Sequence, residues 1–455
     1  MSAGWIARVG SVNERPGITG IAHLFEHMMF KGTRVIGTRD IEKNLQVMKE
    51  LDRVKGEIDR EQAGLARRQR LGEVPDPPRP EDLSPRHKEL LAELQKLTLA
   101  ERALLVKDEF DRIYGAGGAS GMNAGTWYDF TLYFVTLPAN KLELWFWMES
   151  DRLLNPVFRE FYSERDVVRE ERRRSVESTP TRRFEEQFDT MFWQSSPYGW
   201  PTIGWPSDIE AVTREEALSF FDIYYAPNNI TACIVGDFDP ALALDLAKRY
   251  FGRLERGPVE PPEVRTREVE HLAEQRMLAH AETKPEVQIR YKTVPDGHVD
   301  DFPLTVLADI LSGRTGRLYK SLVLESQVAN EVQARHLTLK YEGYFELRGV
   351  SKPGKTPEEV EKGLLEEIEK LQKDLVDERE LQKVKNQLSA DNFRQLRSSF
   401  RILYQLMARD CYRGWQTINT DPPRIQAVTA EDIRRVARTY FKPEKKNVLI
   451  FHTKE

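Results

Sequence analysis

His23, Glu26 and His27 stand within HLFEHMMF, residues 23–30, a stretch otherwise as apolar as a protein core. At about 100° per residue the three fall on one side of a helix, while Leu24, Phe25, Met28 and Met29 cover the rest. A buried polar group without a partner costs roughly 1–3 kcal/mol, so three on one face need a common reason. A metal ion is one. Histidines at i and i+4 can bind a single zinc ion, and a glutamate beside them can act as general base toward a water that the ion activates. H-x-x-E-H is the inverted order of a familiar zinc-protease motif. The pattern alone leaves open a second reading, histidines satisfied inside a core.

A catalytic zinc site needs a third protein ligand and an open position. In SERDVVREERRRS, residues 163–175, Glu164 and Glu171 fall within roughly 20° of each other on a regular helix, on the side of Val167 and Val168. Glu170 turns away with the arginines. The expectation is an inward carboxylate pair at i and i+7, against the plainer reading of a salt-bridged surface.

The elements that hold these residues repeat. IEAVTREEALSFFDIYYAP, from Ile209, and IQAVTAEDIRRVARTYFKP, from Ile425, share Ile, Ala, Val, Thr, Glu, Tyr and Pro at a constant offset of 216, and each precedes a strand-like run. In both, the threonine should cap a helix. The expected fold is α+β: two homologous α/β domains, each a sheet covered by helices on one face, related by internal duplication. Their bounds are 1–255 and 266–455, joined by RLERGPVEPPEVR with its Gly257, Pro258, Pro261 and Pro262. The first carries a charged insert at about 41–113, a helical hairpin with the proline-rich tip VPDPPRP. It reads as a solvated face or as a lid or docking arm. The second half shows two strands before its helix at Phe302 and the first only Trp5 to Val9, so a truncated start is expected.

Composition narrows the class. With 68 basic and 73 acidic residues neither sign dominates, and no motif or basic excess points to nucleic acid. Cys233 and Cys411 are the only cysteines, which excludes a cysteine-built zinc site and makes buried free thiols the expectation. No apolar run is long enough to span a membrane. The compartment stays open: periplasmic if the native N-terminus carries an export signal, cytoplasmic otherwise.

GITGIAHLFEHMMFKGT, GMNAGTWYDFTLYF, ERDVVREE and SPYGWPTIGW, in that order, resemble the pitrilysin/insulinase family of zinc metallopeptidases, in particular its two-domain members related to the mitochondrial processing peptidase. The resemblance implies Zn2+ held by His23, His27 and Glu171, Glu26 as the catalytic base and Glu164 as an inward supporting carboxylate. Asn123 and Ala124 match the family's Asn-Ala motif on an edge strand, where an unstructured peptide substrate binds as an added strand. The spacing from His27 to Glu171 exceeds the family's, and the insert accounts for the surplus.

A second departure has more weight. Family enzymes carry an arginine and a tyrosine seven residues apart in the second domain, which hold the substrate and stabilise its oxyanion. Here GRLYKSLVLESQVANEV, residues 316–332, places Val323 and Asn330 at those positions. The implied assembly is a heterodimer with a homologous Arg/Tyr-bearing subunit, ahead of a homodimer, enclosing a chamber in which peptides are cut. The alternatives are a non-catalytic subunit of the same fold and a presequence-processing peptidase.

Overall fold

In the computed structural model, which describes residues 1–257 and 259–454, the chain builds two sheets clothed in helices. Pro258, one of the linker prolines, and Glu455 lie outside the described residues. β1 (Ser2–Ala7) is buried along its whole length. With β2 (Ser120–Thr126), β3 (Thr131–Thr136) and β4 (Ile230–Val235) it forms an antiparallel sheet of order β2-β3-β1-β4. β5 (Gln275–Ala281), β6 (Glu286–Thr293), β7 (Ala329–Thr338), β8 (Gly343–Ser351) and β9 (Asn447–Thr453) form the second, of order β5-β9-β6-β8-β7. Without β5 the two orders match strand for strand, β1 with β6, β2 with β7, β3 with β8 and β4 with β9. β5 pairs parallel to β9, and no described strand takes its place beside β4.

Local chemistry repeats with the topology. Thr213 and Thr429 close capping boxes with Glu216 and Asp432 at the starts of the helices Arg214–Tyr224 and Ala430–Tyr440. Between β1 and β2 run α1 (Ile21–Met28), then the hairpin of α2 (Ile41–Arg70) and α3 (Pro85–Leu104), then α4 (Glu109–Ala116). Val54, Ile58 and Leu90 close between the hairpin's arms. The charged sides are solvated, and ion pairs such as Arg53 with Glu93 at 2.6 Å add little there. After β3 come α5 (Leu142–Leu154), α6 (Phe161–Arg172) and α7 (Arg182–Phe192).

Cover on one face only, as the sequence suggests, is incomplete. Strand alternation sends Trp5 and Ala7 into the first half's own core and Ile6 to the opposite face. That opposite face is covered from the other half: Leu403, Met407 and Cys411, on the helix Ser399–Tyr412, close on Ile6, Phe130 and Leu132. Asp410 of that helix accepts hydrogen bonds from Arg8 and Thr231 at 2.6 and 2.7 Å. In return, α7 lays Phe188 against Ala279, Ala281, Leu449 and Phe451 of the second sheet. Strands apolar on both faces require such cover, since bare faces would expose contiguous apolar surface. Cys233 and Cys411 are both free thiols. No helix of the described residues is long and apolar enough to cross a membrane.

Candidate active site

α1 starts abruptly, and the start is heavily braced. Gly20 precedes it in the left-handed region, φ 87°, and a Cβ there would stand 2.5 Å from the Ile203 carbonyl oxygen and 2.9 Å from Gly204 Cα. Gly204, also at φ 87°, returns the contact. The buried Glu14 accepts from the Gly20 and Ala22 N–H groups, both at 2.9 Å, filling two of the donors that a helix N-terminus leaves open. Burial pushes its carboxyl well above the usual range, against the pull of those donors. Asp208 ties down the preceding loop by accepting from Gly17 N, Thr19 N and the Thr19 hydroxyl. Thus SPYGWPTIGW is the buttress of the HxxEH helix.

α6 brings the third donor. His23 Nε2 lies 3.8 Å from Glu171 Oε1 and His27 Nε2 lies 3.5 Å from Glu171 Oε2. All three donors fall within 4.8 Å of one another. Ligands about 2.1 Å from a tetrahedral zinc ion stand about 3.4 Å apart, so two imidazoles and a carboxylate at these separations fit such an ion. Glu164 faces the far side of His27, 3.4 Å from Nδ1, and holds Lys31 Nζ at 2.5 Å. A carboxylate there would fix which ring nitrogen is left to face a metal ion. His23 Nδ1 is buried with no hydrogen-bond partner among the described residues.

Charge is polarised across the pair of rings. Burial, then the neighbouring His27, press His23 down to about 4. His27 resists its own burial and rises to about 9, because bonds to Glu164 and Glu171 favour its cation. Burial opposes ionisation of Glu164, yet His27 and Lys31 hold it below the ordinary range, and His27 does the same for Glu171. The carboxylates thus form a cradle for positive charge.

The inward valine face needs correction. Val168 is fully buried, but Val167 is 47% exposed and the Glu171 side chain 45% exposed, so Glu171 stands half-exposed beside the histidines rather than inside the core. The buried stripe of α6 is centred instead on Val168, Arg165 and Arg172. Arginines take this face because backbone carbonyls meet them there: Arg165 donates to Val212 O at 2.7 Å and Arg172 to Gly204 O at 2.9 Å. Glu170 does point outward, paired with Arg173 and Arg174.

Glu26 lies on the same helix face as the histidines and accepts from the Thr126 hydroxyl at 2.8 Å. Burial raises its carboxyl. Thr126 ends β2, the outer strand of the sheet, which is bulged between Ser120 and Asn123. Asn123 and Ala124 sit opposite Phe134 and Tyr133, and Asn123 lines the same cleft of about 810 Å³ as Glu26, His27 and Glu164. The opposite wall is the foot of the insert, residues 105–111. In the second half, Val323 packs on the apolar core and Asn330 lies at the start of β7. Sequence reasoning gave no role to Glu14, Thr126, Arg159 or Arg172, although Thr126 lies inside GMNAGTWYDFTLYF and Glu14, an acid shortly before a helix start, leaves a local trace.

Comparison with known proteins agrees with this architecture. The profile described as Insulinase (Peptidase family M16) matches residues 2–52, and that of the Peptidase M16 inactive domain matches residues 211–388. This chain belongs to the insulinase, or M16, peptidase family. Among M16 relatives, "Zinc protease PqqE" of Helicobacter pylori is 28% identical over 358 residues, covering 77% of this chain and 80% of that protein. "Uncharacterized zinc protease YmxG" of Bacillus subtilis is 20% identical over 96% of this chain and 89% of its own length. The solved structure of a Helicobacter pylori protease superposes with a TM-score of 0.79 at 23% identity, covering 99% of this M16 chain and 93% of that one. A putative M16-like peptidase from Alicyclobacillus acidocaldarius gives a TM-score of 0.72 at 16% identity, covering 99% and 92%. These relatives support a zinc peptidase at the level of the family.

Proposed function

We propose that the protein is a zinc-dependent endopeptidase subunit that hydrolyses unstructured peptides. The observation that carries this reading is the meeting of His23, His27 and Glu171, with Glu26 beside His27 on the same helix. Bound there, zinc would supply Lewis acidity toward the scissile carbonyl and a lowered pKa for the attacking water. The chain's own groups do the rest. Glu26 takes the proton from water and returns it to the leaving amine, a role suited by a carboxyl that burial raises and the Thr126 hydroxyl orients. Glu164 holds the His27 ring. The free edge of β2 beside Asn123 and Ala124 accepts an extended peptide through main-chain bonds, which tolerates many sequences.

Neither Val323 nor Asn330 can donate the charged hydrogen bonds of an Arg/Tyr pair. We assign those contacts to a homologous partner subunit in a heterodimer, rather than to a second copy of this chain. The same vacancy is what favours the rival reading, a non-catalytic subunit. Hydrolysis of short unstructured peptides by the purified zinc-loaded chain, alone and beside Glu26→Gln, separates the readings. Glu26→Gln should keep its zinc by elemental analysis while losing about 10²–10⁴-fold in turnover, and His23→Ala should lose the zinc. Equal metal loss in both would refute Glu26 as a non-ligand. Full activity of the chain alone would refute the partner.

A further inference from the structure

We infer that Arg159 and Arg172 are positioning residues that set the separation of α6 from α1, and through it the geometry of the three donors. The inference rests on the reading of His23, His27 and Glu171 as one metal centre. Two of those donors ride on α1 and the third on α6, far away in sequence, so contacts must fix the gap between the helices.

Each end of α6 has one buried arginine that reaches a flank of α1. Arg159, two residues before α6 and 1% exposed, donates from Nε to Asn44 Oδ1 at 2.7 Å. Its guanidinium also donates to the carbonyls of Lys31, Thr33 and Ile36 at 3.2, 2.5 and 3.0 Å. Those carbonyls belong to the turn that follows α1. The turn is built around the guanidinium, since a Cβ on Gly32 or Gly37 would stand 3.2 or 3.3 Å from Arg159 Nη1. Asn44 comes from the first turns of the insert, so the hairpin's root is part of the clamp.

Arg172 closes the other end. It donates to Glu186 through both terminal nitrogens, at 2.8 and 2.7 Å, and to Gly204 O at 2.9 Å. Gly204 backs directly onto Gly20, the residue that precedes α1. The helix with the histidines is therefore gripped just past its end from the segment that leads into the helix carrying Glu171, and just before its start, through Gly204, from that helix's last residue. Serving several oxygens at once needs the flat five-donor fork of arginine, which lysine lacks. Arg165 supplies an internal comparison. It is buried on the same helix and bonds Val212 O, but among the described residues none of its hydrogen bonds goes to a flank of α1.

The test uses the full chain and three variants, Arg159→Lys, Arg172→Lys and Arg165→Lys. Zinc affinity is read by competition with a chromogenic chelator, donor geometry by the visible spectrum of the cobalt(II) form, and folding by the urea midpoint of the metal-free protein. Arg159→Lys and Arg172→Lys should weaken zinc about 10–100-fold and shift the cobalt bands, the range seen when groups that orient metal ligands are removed. Arg165→Lys should lower the urea midpoint with a zinc Kd within about threefold of wild type, the margin taken as no loss of ligand orientation. If Arg159→Lys or Arg172→Lys fails to fold, Asn44→Ala and Glu186→Gln, which each remove one partner of a clamp, should weaken zinc in the same direction. Unchanged zinc affinity in the clamp variants, or an equal loss in Arg165→Lys, overturns the inference. A wild-type chain that binds no zinc refutes the metal centre itself, a separate failure.

Discussion

Gly204→Ala places a methyl group where two backbones touch. The new Cβ would stand 2.4 Å from Thr19 O and 2.6 Å from Gly20 Cα, and since both are main chain no rotamer relieves the overlap. Moving the backbones apart costs about 1–3 kcal/mol on the scale of overpacked cores. Holding alanine at φ 87° adds about 1–2 kcal/mol. The stiffer unfolded chain returns about 0.4–1 kcal/mol, leaving a net loss of about 1–4.5 kcal/mol. Gly20→Ala meets the same contact from the other side, with a Cβ 2.5 Å from Ile203 O. Once the loop and the helix have parted, the second methyl adds less, so the double variant should fall short of the sum by at least about 0.5 kcal/mol. Urea unfolding followed by tryptophan emission reads this, because every tryptophan except Trp415 lies in the first half. A loss below about 1 kcal/mol for Gly204→Ala, or strict additivity, would refute the idea that the TIGW loop braces the HxxEH helix.

Three further outcomes follow from other contacts. Glu164→Gln should weaken zinc about 10–100-fold in chelator competition, because His27 loses the carboxylate that orients its ring, and an unchanged Kd would show that the ring needs no such partner. Asp129 accepts from Tyr198, Tyr412 and the Lys340 N–H, joining the halves, so Asp129→Ala should cost about 1–3 kcal/mol or more and speed amide exchange in Ser399–Tyr412; equal exchange rates would contradict it. His336, with a 1% exposed ring between the hydroxyls of Thr293 and Thr305, is held down to about 4 by burial. Its folded pKa lies below the unfolded 6.5, so its neutral form contributes stability that is complete above about pH 7 and fades as pH falls toward 4, by about 2 kcal/mol at pH 5. Asp301, whose carboxylate lies 3.5 Å from His336 Nδ1 and is raised by burial to about 6, titrates in both chains, so the destabilisation caused by His336→Gln should shrink by up to that amount between pH 7.5 and pH 5; a constant gap would sink it.

The helix faces that carry His23, His27 and Glu171 were legible in the sequence because their logic is local, whereas the meeting of the two helices was implied only by the family resemblance. Histidines four apart must share a helix face, and a glutamate seven residues after another must return to the same side. The duplicated capping boxes were legible for the same reason, since Thr213 and Thr429 bond within their own first turns. What escaped was every arrangement that depends on a distant backbone. Arginines 159, 165 and 172 look like surface residues by type, and they are buried because carbonyls from other segments reach them. The exposed Val167 is the converse: with those arginines facing the core, the stripe rotates and a valine is left at the cleft. The exchange of α7 and Ser399–Tyr412 between the sheets was equally hidden, because alternation shows that a strand has two apolar faces without saying which helix covers the second.

That exchange bears on how the chain is made. The outer face of the first sheet, with Ile6, Phe130 and Leu132, is complete in its strands once β4 has been synthesised, but its covering helix ends only at Tyr412. At a ribosomal pace of about 5–20 residues per second that face waits roughly 10–35 s for its cover. During that interval a nascent chain presents a bare apolar sheet, so its yield in the cell should depend on chaperone supply more than a fold of two self-contained halves would.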